Sequence, residues 1–191
     1  QSAGLLFVAR SGSVHALDLT SGNELWTIAS TGASDPQISQ TPTLVAVAGQ
    51  NVLISKQTQI YAFDSISRRL LWGQRLTGPI QQLRISDDGG MAYAMVAGHS
   101  GSPALFALDL QRGSIRWKFS QSEQFSFVNT DASGYQYRAG RLLVSVCYPS
   151  ENSCDQQRLY ILDAKTGKAL WDFTGRNLAD ISISPDGKTV A

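Results

Sequence analysis

The sequence has little charge, and the charge that it has is balanced. Only 16% of the 191 residues are charged, and 16 lysines and arginines against 15 aspartates and glutamates leave a net charge of +1. This balance gives no overall attraction to nucleic acid or to a membrane surface, so no nucleic-acid partner is predicted. The sequence also lacks any apolar run close to the roughly 20 residues that span a bilayer. We therefore predict no transmembrane segment in this chain.

Cysteine and histidine are scarce, with two of each. Cys147 and Cys154 are close enough in sequence to close a short loop through a disulfide, and two free thiols are the alternative. A zinc site would need further ligands, and His15 and His99 are both distant in sequence. No metal-binding residue is therefore predicted. A disulfide would indicate a periplasmic or extracellular location.

A repeat of about 45 residues organises the whole sequence. In each of four copies an apolar segment ends at an aspartate, and a tryptophan follows that aspartate by eight residues. Successive aspartates are 46, 45 and 54 residues apart. The pairs are Asp18 with Trp26, Asp64 with Trp72, Asp109 with Trp117, and Asp163 with Trp171. All four tryptophans of the chain occupy this one position, which chance does not explain.

Each copy is typical of a β-hairpin with another strand pair upstream. The aspartate can accept backbone N–H bonds in the turn. Glycine, for which a positive φ is easiest, follows in three of four turns, as Gly22, Gly113 and Gly167. In the second copy we expect strands near 43–47, 52–55, 59–63 and 70–75. Four short strands per repeat predict an all-β fold, a β-propeller of four-stranded antiparallel blades.

The repeat places the blades along the chain as one propeller segment over 1–191. We expect blades at 1–30 (incomplete), 38–76, 80–119 and 125–174, and the start of the next blade at 179–191. The sequence begins with Gln1 rather than methionine and shows no signal peptide, which predicts a processed or trimmed N-terminus. The expectation is a fragment of a propeller with roughly six to eight blades. Pairing of 181–184 with 5–9 would instead indicate a closed ring of four blades.

The pattern Ala-x-Asp-x-x-x-Gly-x-x-x-Trp resembles the tryptophan-docking motif of pyrroloquinoline quinone (PQQ) repeat propellers. The first and third copies match it in full, the fourth has Ile161 in place of the alanine, and the second has Arg68 in place of the glycine. The Ser-Pro-Asp-Gly turn at 184–187 is similar to WD-like repeats of bacterial propellers. The resemblance implies that each tryptophan packs between neighbouring blades. The implied structural docking residues are Trp26, Trp72, Trp117, Trp171, Asp18, Asp64, Asp109, Asp163, Gly22, Gly113 and Gly167.

The same family includes quinoprotein dehydrogenases, whose active sites need a PQQ pocket, Ca²⁺ ligands, a catalytic aspartate and usually two adjacent cysteines. This sequence has no adjacent cysteines. The repeated aspartates are explained by the turns. Asp87, Asp88 and Asp186 lie in tight turns, and their spacing does not bring together enough oxygens for Ca²⁺. We therefore predict no catalytic residue, no cofactor-binding residue and no cofactor.

Two further features carry side chains of interest. His15 lies where the other copies have Tyr61, Phe106 and Tyr160, which indicates a packed ring rather than a ligand. The longest irregular stretch, from 120 to 137, carries four aromatic residues. They are interpreted either as partner contacts or as the first strand of the fourth blade: Phe125, Phe127, Tyr135 and Tyr137.

The leading functional interpretation is a non-enzymatic scaffold that binds other proteins in an extracytoplasmic complex, in the periplasm or at the cell surface. It follows from the resemblance to non-catalytic bacterial propellers such as the outer-membrane protein assembly lipoprotein. Two alternatives stay open at this point. One is a fragment of a PQQ-dependent quinoprotein dehydrogenase whose active site lies in missing blades. The other is a propeller that binds a small ligand or a glycan on its central face.

Overall fold

The computed structural model describes residues 4–10, 13–29, 44–97, 103–120, 126–127, 135–150, 153–176, 178 and 181–190. Within these ranges the chain forms strands, turns and connecting segments, without a helix. The strands form four separate sheets, and each sheet corresponds to one copy of the repeat. The predicted all-β class with antiparallel blades is confirmed.

The four blades follow one another in chain order, and each is antiparallel throughout. Blade 1 contains β1 (Leu5–Arg10), β2 (Ser13–Asp18) and β3 (Glu24–Ala29). Blade 2 contains β4 (Leu44–Ala48), β5 (Asn51–Lys56), β6 (Gln59–Asp64) and β7 (Leu70–Arg75). Blade 3 contains β8 (Ile80–Ile85), β9 (Met91–Val96), β10 (Ala104–Asp109) and β11 (Ile115–Phe119). Blade 4 contains β12 (Ser126–Phe127), β13 (Tyr135–Arg138), β14 (Arg141–Ser150), β15 (Ser153–Asp163) and β16 (Ala169–Gly175).

The inner strands of blades 2 and 3 are apolar on both faces because each of these blades packs between two neighbours. In β5, Val52 and Ile54 pack with Val14 of blade 1, whereas Leu53, between them in sequence, packs into the core shared with blade 3. Opposite faces of one strand therefore enter two different cores. This is why the inner strands read as nearly continuous apolar runs, whereas a sheet with one solvated face shows simple alternation.

Blade 4 departs from the other blades in its first strand. Two short strands, β12 and β13, both pair with β14, at Ser126↔Cys147 and at Tyr135↔Val144. The hairpin of β14 and β15 is also longer, with 10 and 11 residues. It extends to the pair Ser150↔Ser153, beyond the last pair of β15 with β16, Gln157↔Gly175. These insertions account for the 54-residue step between the last two aspartates.

The segment 181–190 follows blade 4 and repeats the local geometry of blade 3. The Gly187 N–H donates to Ser184 O at 2.9 Å, as the Gly89 N–H does to Ser86 O at the same distance. Ile183 forms an isolated bridge with Val190, and it packs on blade 4. Among the described residues, β1 pairs with β2, and no ladder joins it to 181–184.

Candidate functional site

The most regular feature of the molecule is the turn between the last two strands of each blade, here called the docking turn. The four docking turns are 18–22, 64–68, 109–113 and 163–167. In every copy the N–H of the last residue donates to the carbonyl of the aspartate at 2.8 Å. A β-bulge lies beside each turn, in the pairing of the last two strands. The repeated sequence thus produces one backbone geometry four times.

The aspartate side chain caps each docking turn. Asp64 Oδ1 accepts the N–H of Ile66 at 3.1 Å and that of Ser67 at 2.6 Å. The other three aspartates accept the equivalent pair of N–H groups. These carboxylates are therefore engaged with the backbone of their own turns.

Hydrogen bonding keeps these carboxylates ionised. The N–H of Ser21 lowers the pKa of Asp18, and the N–H of Ser67 lowers the pKa of Asp64. For Asp109 the main cause of the lowered pKa is the hydrogen bond from Arg116. Burial acts in the opposite direction on Asp163, but the bonds from Thr166 and Lys165 outweigh it and the pKa is lowered. A lowered pKa suits a structural acceptor, whereas a general acid at neutral pH needs a raised one.

Two tryptophans dock on the turn of the following blade. Trp72 Nε1 donates to Leu110 O at 2.8 Å, and Trp117 Nε1 donates to Ala164 O at 3.1 Å. Each ring lies close against the turn glycine. A Cβ on Gly113 would lie 2.5 Å from Trp72, and a Cβ on Gly167 would lie 2.6 Å from Trp117. Both glycines also have a positive φ, +71° and +69°, so two separate constraints select glycine there.

Blade 1 docks on blade 2 by a different contact. Arg68 replaces the turn glycine and adopts φ +61°. Its guanidinium lies over the ring of Trp26, 5.6 Å from the ring centroid, in a cation–π contact. Phe7 packs edge-on against the same ring. The sequence shows that Arg68 departs from the motif. It does not show that this arginine contacts Trp26.

The fourth tryptophan has no described blade beside it. Trp171 is 44% exposed, and Phe173, two residues later on β16, is exposed as well. Gly22 of blade 1 has φ +71° like the docked glycines, yet a Cβ there would meet nothing within 4 Å. Trp171 of blade 4 and the docking turn of blade 1 thus belong to the motif, but neither has the contact between a tryptophan and a docking turn that joins neighbouring blades elsewhere.

His15 lies in a polar cluster that the sequence did not reveal. Its Nδ1 is 2.9 Å from Glu24 Oε2 and 3.1 Å from Thr27 Oγ1, across the β2–β3 pair. A catalytic triad uses the two ring nitrogens for two different partners. Here both partners meet the same nitrogen, so the cluster lacks the geometry of a proton relay. The cluster depends on the strand register that pairs His15 with Thr27, which only the structure shows.

The aromatic residues of the long segment fall into two groups. Tyr135 and Tyr137 lie in β13 and are buried in the core between blades 3 and 4. The Tyr135 hydroxyl donates to Tyr93 O at 2.8 Å, and burial raises its pKa, which keeps the phenol neutral. The strand interpretation therefore fits these two better than the partner-contact interpretation. Phe125 lies outside the described residues, and so does the side chain of Phe127.

The two cysteines lie on paired strands rather than in a loop. Cys147 is buried in β14, where it faces Gln157 across the ladder, and Cys154 belongs to β15. The side chain of Cys154 lies outside the described residues. Their disulfide stays a prediction.

A buried glutamine joins blade 4 to the segment that follows it. Gln136 Nε2 donates to Ile181 O at 2.8 Å, and Gln136 Oε1 accepts the N–H of Ile183 at 3.1 Å. The side-chain amide thus imitates one rung of a β-ladder between two elements 45 residues apart. Nothing in the sequence around Gln136 indicates this role.

The described residues contain no group of three or more histidine, cysteine, aspartate or glutamate side chains placed to hold a metal ion. Within the same residues, the structure has no helix long and apolar enough to cross a membrane.

Comparisons with known proteins agree with this architecture. The family model described as outer membrane protein assembly factor BamB matches residues 2–187. No curated protein matches the chain. Among solved structures, BamB from Moraxella catarrhalis is similar at a TM-score of 0.62 and 17% identity, over 97% of this chain and 49% of that one. Hydrazine synthase from Kuenenia stuttgartiensis is similar at a TM-score of 0.66 and 16% identity, over 97% of this chain and 51% of that one.

A europium-containing methanol dehydrogenase is also similar, at a TM-score of 0.66 and 13% identity, over 97% of this chain and 42% of that one. The chain spans about half or less of each of these structures. At these identities the likeness shows a shared propeller fold, which an assembly factor and a dehydrogenase both use. The family match covers nearly the whole sequence, and the chain belongs to the BamB family of PQQ-repeat β-propellers.

Proposed function

We propose that this chain is part of a non-enzymatic scaffold that binds other proteins in an extracytoplasmic complex. The observation that carries the proposal is the family match, which covers residues 2–187 and names an outer membrane protein assembly factor. The Cys147–Cys154 disulfide predicted from the sequence would agree with a location outside the cytoplasm.

The geometry of the docking turns supports a binding role. Each turn is held by two hydrogen bonds to its aspartate and by a bond across its ends, so its backbone is defined independently of its exposed side chains. A rigid turn loses little conformational freedom when a partner binds, which favours affinity. Blades therefore provide fixed positions at which different side chains can be presented.

The competing function is that of a PQQ-dependent dehydrogenase. The observation in its favour is the similarity to a methanol dehydrogenase, which is slightly higher in TM-score than the similarity to BamB. The four repeated aspartates do not support it, because all of them are committed to docking turns. A dehydrogenase active site would have to be built from residues other than these.

The two functions can be separated with the full-length protein. Deletion of its gene is expected to lower the amount of folded β-barrel protein in the outer membrane, and the intact gene is expected to restore it. Purified full-length protein incubated with PQQ, Ca²⁺ and an alcohol is expected to leave a redox dye unreduced. Dye reduction that depends on PQQ, or a deletion strain with a normal outer membrane protein content, would overturn the proposal.

A further inference from the structure

We propose that the docking turn of blade 2 carries a binding surface for a partner segment with alternating aliphatic and acidic side chains. This inference rests on the proposed scaffold function and adds the position and the chemistry of one contact. The surface, here called the blade 2 patch, consists of Ile66, Leu70 and Leu71 together with Arg68 and Arg69.

The apolar part of the patch is unusually open. Ile66 at the tip of the turn is 70% exposed, the highest value among the large aliphatic side chains described as exposed. Leu70 and Leu71 are 53% and 47% exposed at the start of β7, the edge strand of the blade. Three exposed aliphatic side chains thus fall within six residues, and exposed apolar clusters are common at interaction sites.

The other blades show that the turn does not require an aliphatic residue at the position of Ile66. The position of Ile66 is held by Thr20 in blade 1 and by Gln111 and Lys165 in blades 3 and 4. The position of Leu70 is held by Glu24 in blade 1 and by the exposed Ile115 in blade 3. The position of Leu71 is again an exposed leucine in blades 1 and 4, as Leu25 and Leu170. All four turns nevertheless have the same backbone hydrogen bonds. The exposed aliphatic side chain at the tip of the turn, Ile66, is thus particular to blade 2 and is not required by the turn geometry, so it needs another explanation.

The charges of the turn indicate the partner's chemistry. The turn and the residue that follows it hold three charged groups: Asp64, Arg68 and Arg69. Asp64 is occupied by the N–H groups of Ile66 and Ser67, and it faces into its own turn. Arg68 lies over Trp26, and both arginines are exposed.

The blade 2 patch combines aliphatic side chains with two exposed guanidinium groups. It is therefore complementary to a segment that carries both aliphatic and carboxylate side chains. Burial of the aliphatic side chains would supply most of the affinity. Carboxylates facing Arg68 and Arg69 would set orientation and make binding sensitive to salt. A basic or purely apolar segment would not satisfy both halves of the patch.

The test uses purified full-length protein and a fluorescent synthetic peptide that alternates leucine with glutamate. Binding is measured by fluorescence anisotropy at low and high salt. The unmodified protein is expected to bind saturably, and a peptide with glutamine in place of glutamate is expected to bind less tightly. Ile66→Thr combined with Leu70→Glu gives blade 2 the residues that blade 1 already carries, so the turn should still form. This variant is expected to weaken binding by about tenfold or more.

Two further variants locate the contact. Arg69→Gln is expected to weaken binding a few-fold and to reduce its salt dependence. Ile115→Glu makes the same kind of change at the equivalent position of blade 3, and it is expected to leave affinity unchanged. Circular dichroism of all variants should match that of the unmodified protein.

Three results would overturn the inference: no saturable binding by the unmodified protein, equal weakening by Ile115→Glu, or no weakening by the blade 2 variant. Self-association that the blade 2 variant abolishes would also overturn it, because a second copy would then occupy the patch. The deletion phenotype described above is measured separately. If it persists while the peptide fails to bind, the scaffold function stands and only the blade 2 patch is refuted.

Discussion

Gly113 occupies a position where two independent constraints exclude a side chain. Its φ of +71° is unfavourable for any residue with a Cβ, and that Cβ would lie 2.5 Å from the ring of Trp72. Arg68 shows that the first constraint alone can be tolerated, since it adopts φ +61° in the equivalent turn. The two turns differ in how they meet the tryptophan of the preceding blade. The guanidinium of Arg68 lies over the ring of Trp26, whereas the ring of Trp72 packs directly against Gly113.

We expect Gly113→Ala to lower the free energy of unfolding by about 3 kcal/mol, from backbone strain and from displacement of the Trp72 ring. The control is Gly49→Ala. Gly49 also has a positive φ, +56°, but a Cβ there would meet nothing within 4 Å. Its substitution should cost about 1 kcal/mol. Urea unfolding of both variants measures the difference, and equal losses would show that the Trp72 contact is not tight.

At the scale of structural elements, blade 4 is tied to its neighbours by contacts that differ on its two faces. Towards blade 3 it presents an aromatic core in which Phe119 packs edge-on against Tyr160 and Tyr93 stacks with Tyr137. Towards 181–190 it presents Leu143 and the side-chain amide of Gln136. The first contact follows from apolar strand patterning, and the second depends on one polar residue.

Gln136→Met tests that residue. The substitution keeps the length of the side chain but leaves Ile181 O and the N–H of Ile183 without their partner. We expect a loss of about 2 kcal/mol and faster hydrogen exchange at the Ile183 amide. Gln157→Met is the matched control, because Gln157 is buried and its Oε1 has no hydrogen-bond partner among the described residues. A similar loss in both variants would mean that the two bonds of Gln136 contribute nothing specific.

The hairpin of β14 and β15 gives the second prediction at this scale. It extends past β16, and an isolated two-stranded ribbon is marginally stable in water. We expect Cys147 and Cys154 to be bonded, which would stabilise the protein by about 2–3 kcal/mol. Titration of the native protein should find no reactive thiol, and reduction should lower the unfolding temperature. Two titratable thiols in unreduced, denatured protein would refute the bond.

At the scale of the whole molecule, the docking turns act together in acid. The pKa values of Asp18, Asp64, Asp109 and Asp163 are all lowered in the folded protein. A carboxylate with a lowered folded pKa stabilises the fold fully above its unfolded pKa of about 3.9. That stabilisation is lost as the pH falls through the folded pKa. Because the same turn occurs in every blade, all four losses occur in the same direction, as the pH falls below the unfolded pKa.

We therefore expect stability to be steady at neutral pH and to fall steeply below about pH 4. Asp64→Asn keeps a neutral side-chain acceptor for the turn but removes one titration, so it should lower stability at pH 7 and leave stability in acid nearly unchanged, which flattens this fall. Urea unfolding between neutral pH and pH 3 provides the measurement. A variant with the same pH profile as the unmodified protein would show that Asp64 is not one of the groups responsible.

The sequence alone determined the blade architecture, because it depends on local chemistry repeated along the chain. The eight-residue interval from aspartate to tryptophan fixes a capped turn and a bulged hairpin, and the strands expected at 59–63 and 70–75 lie at Gln59–Asp64 and Leu70–Arg75. Each of these features follows from residues within a few positions of one another. Placement of the aspartates as turn acceptors followed from the same local rule.

Only the tertiary structure decided the contacts between residues that are distant in sequence. The arginine at position 68 was visible as an exception, but its place over Trp26 depends on how blade 1 packs against blade 2. Tyr135 could be exposed or buried until the fold placed it against blade 3. Gln136 joins blade 4 to 181–190 because the fold places Ile181 and Ile183 within hydrogen-bond distance of its side chain. Such contacts arise from the packing of whole blades, which no short-range pattern encodes.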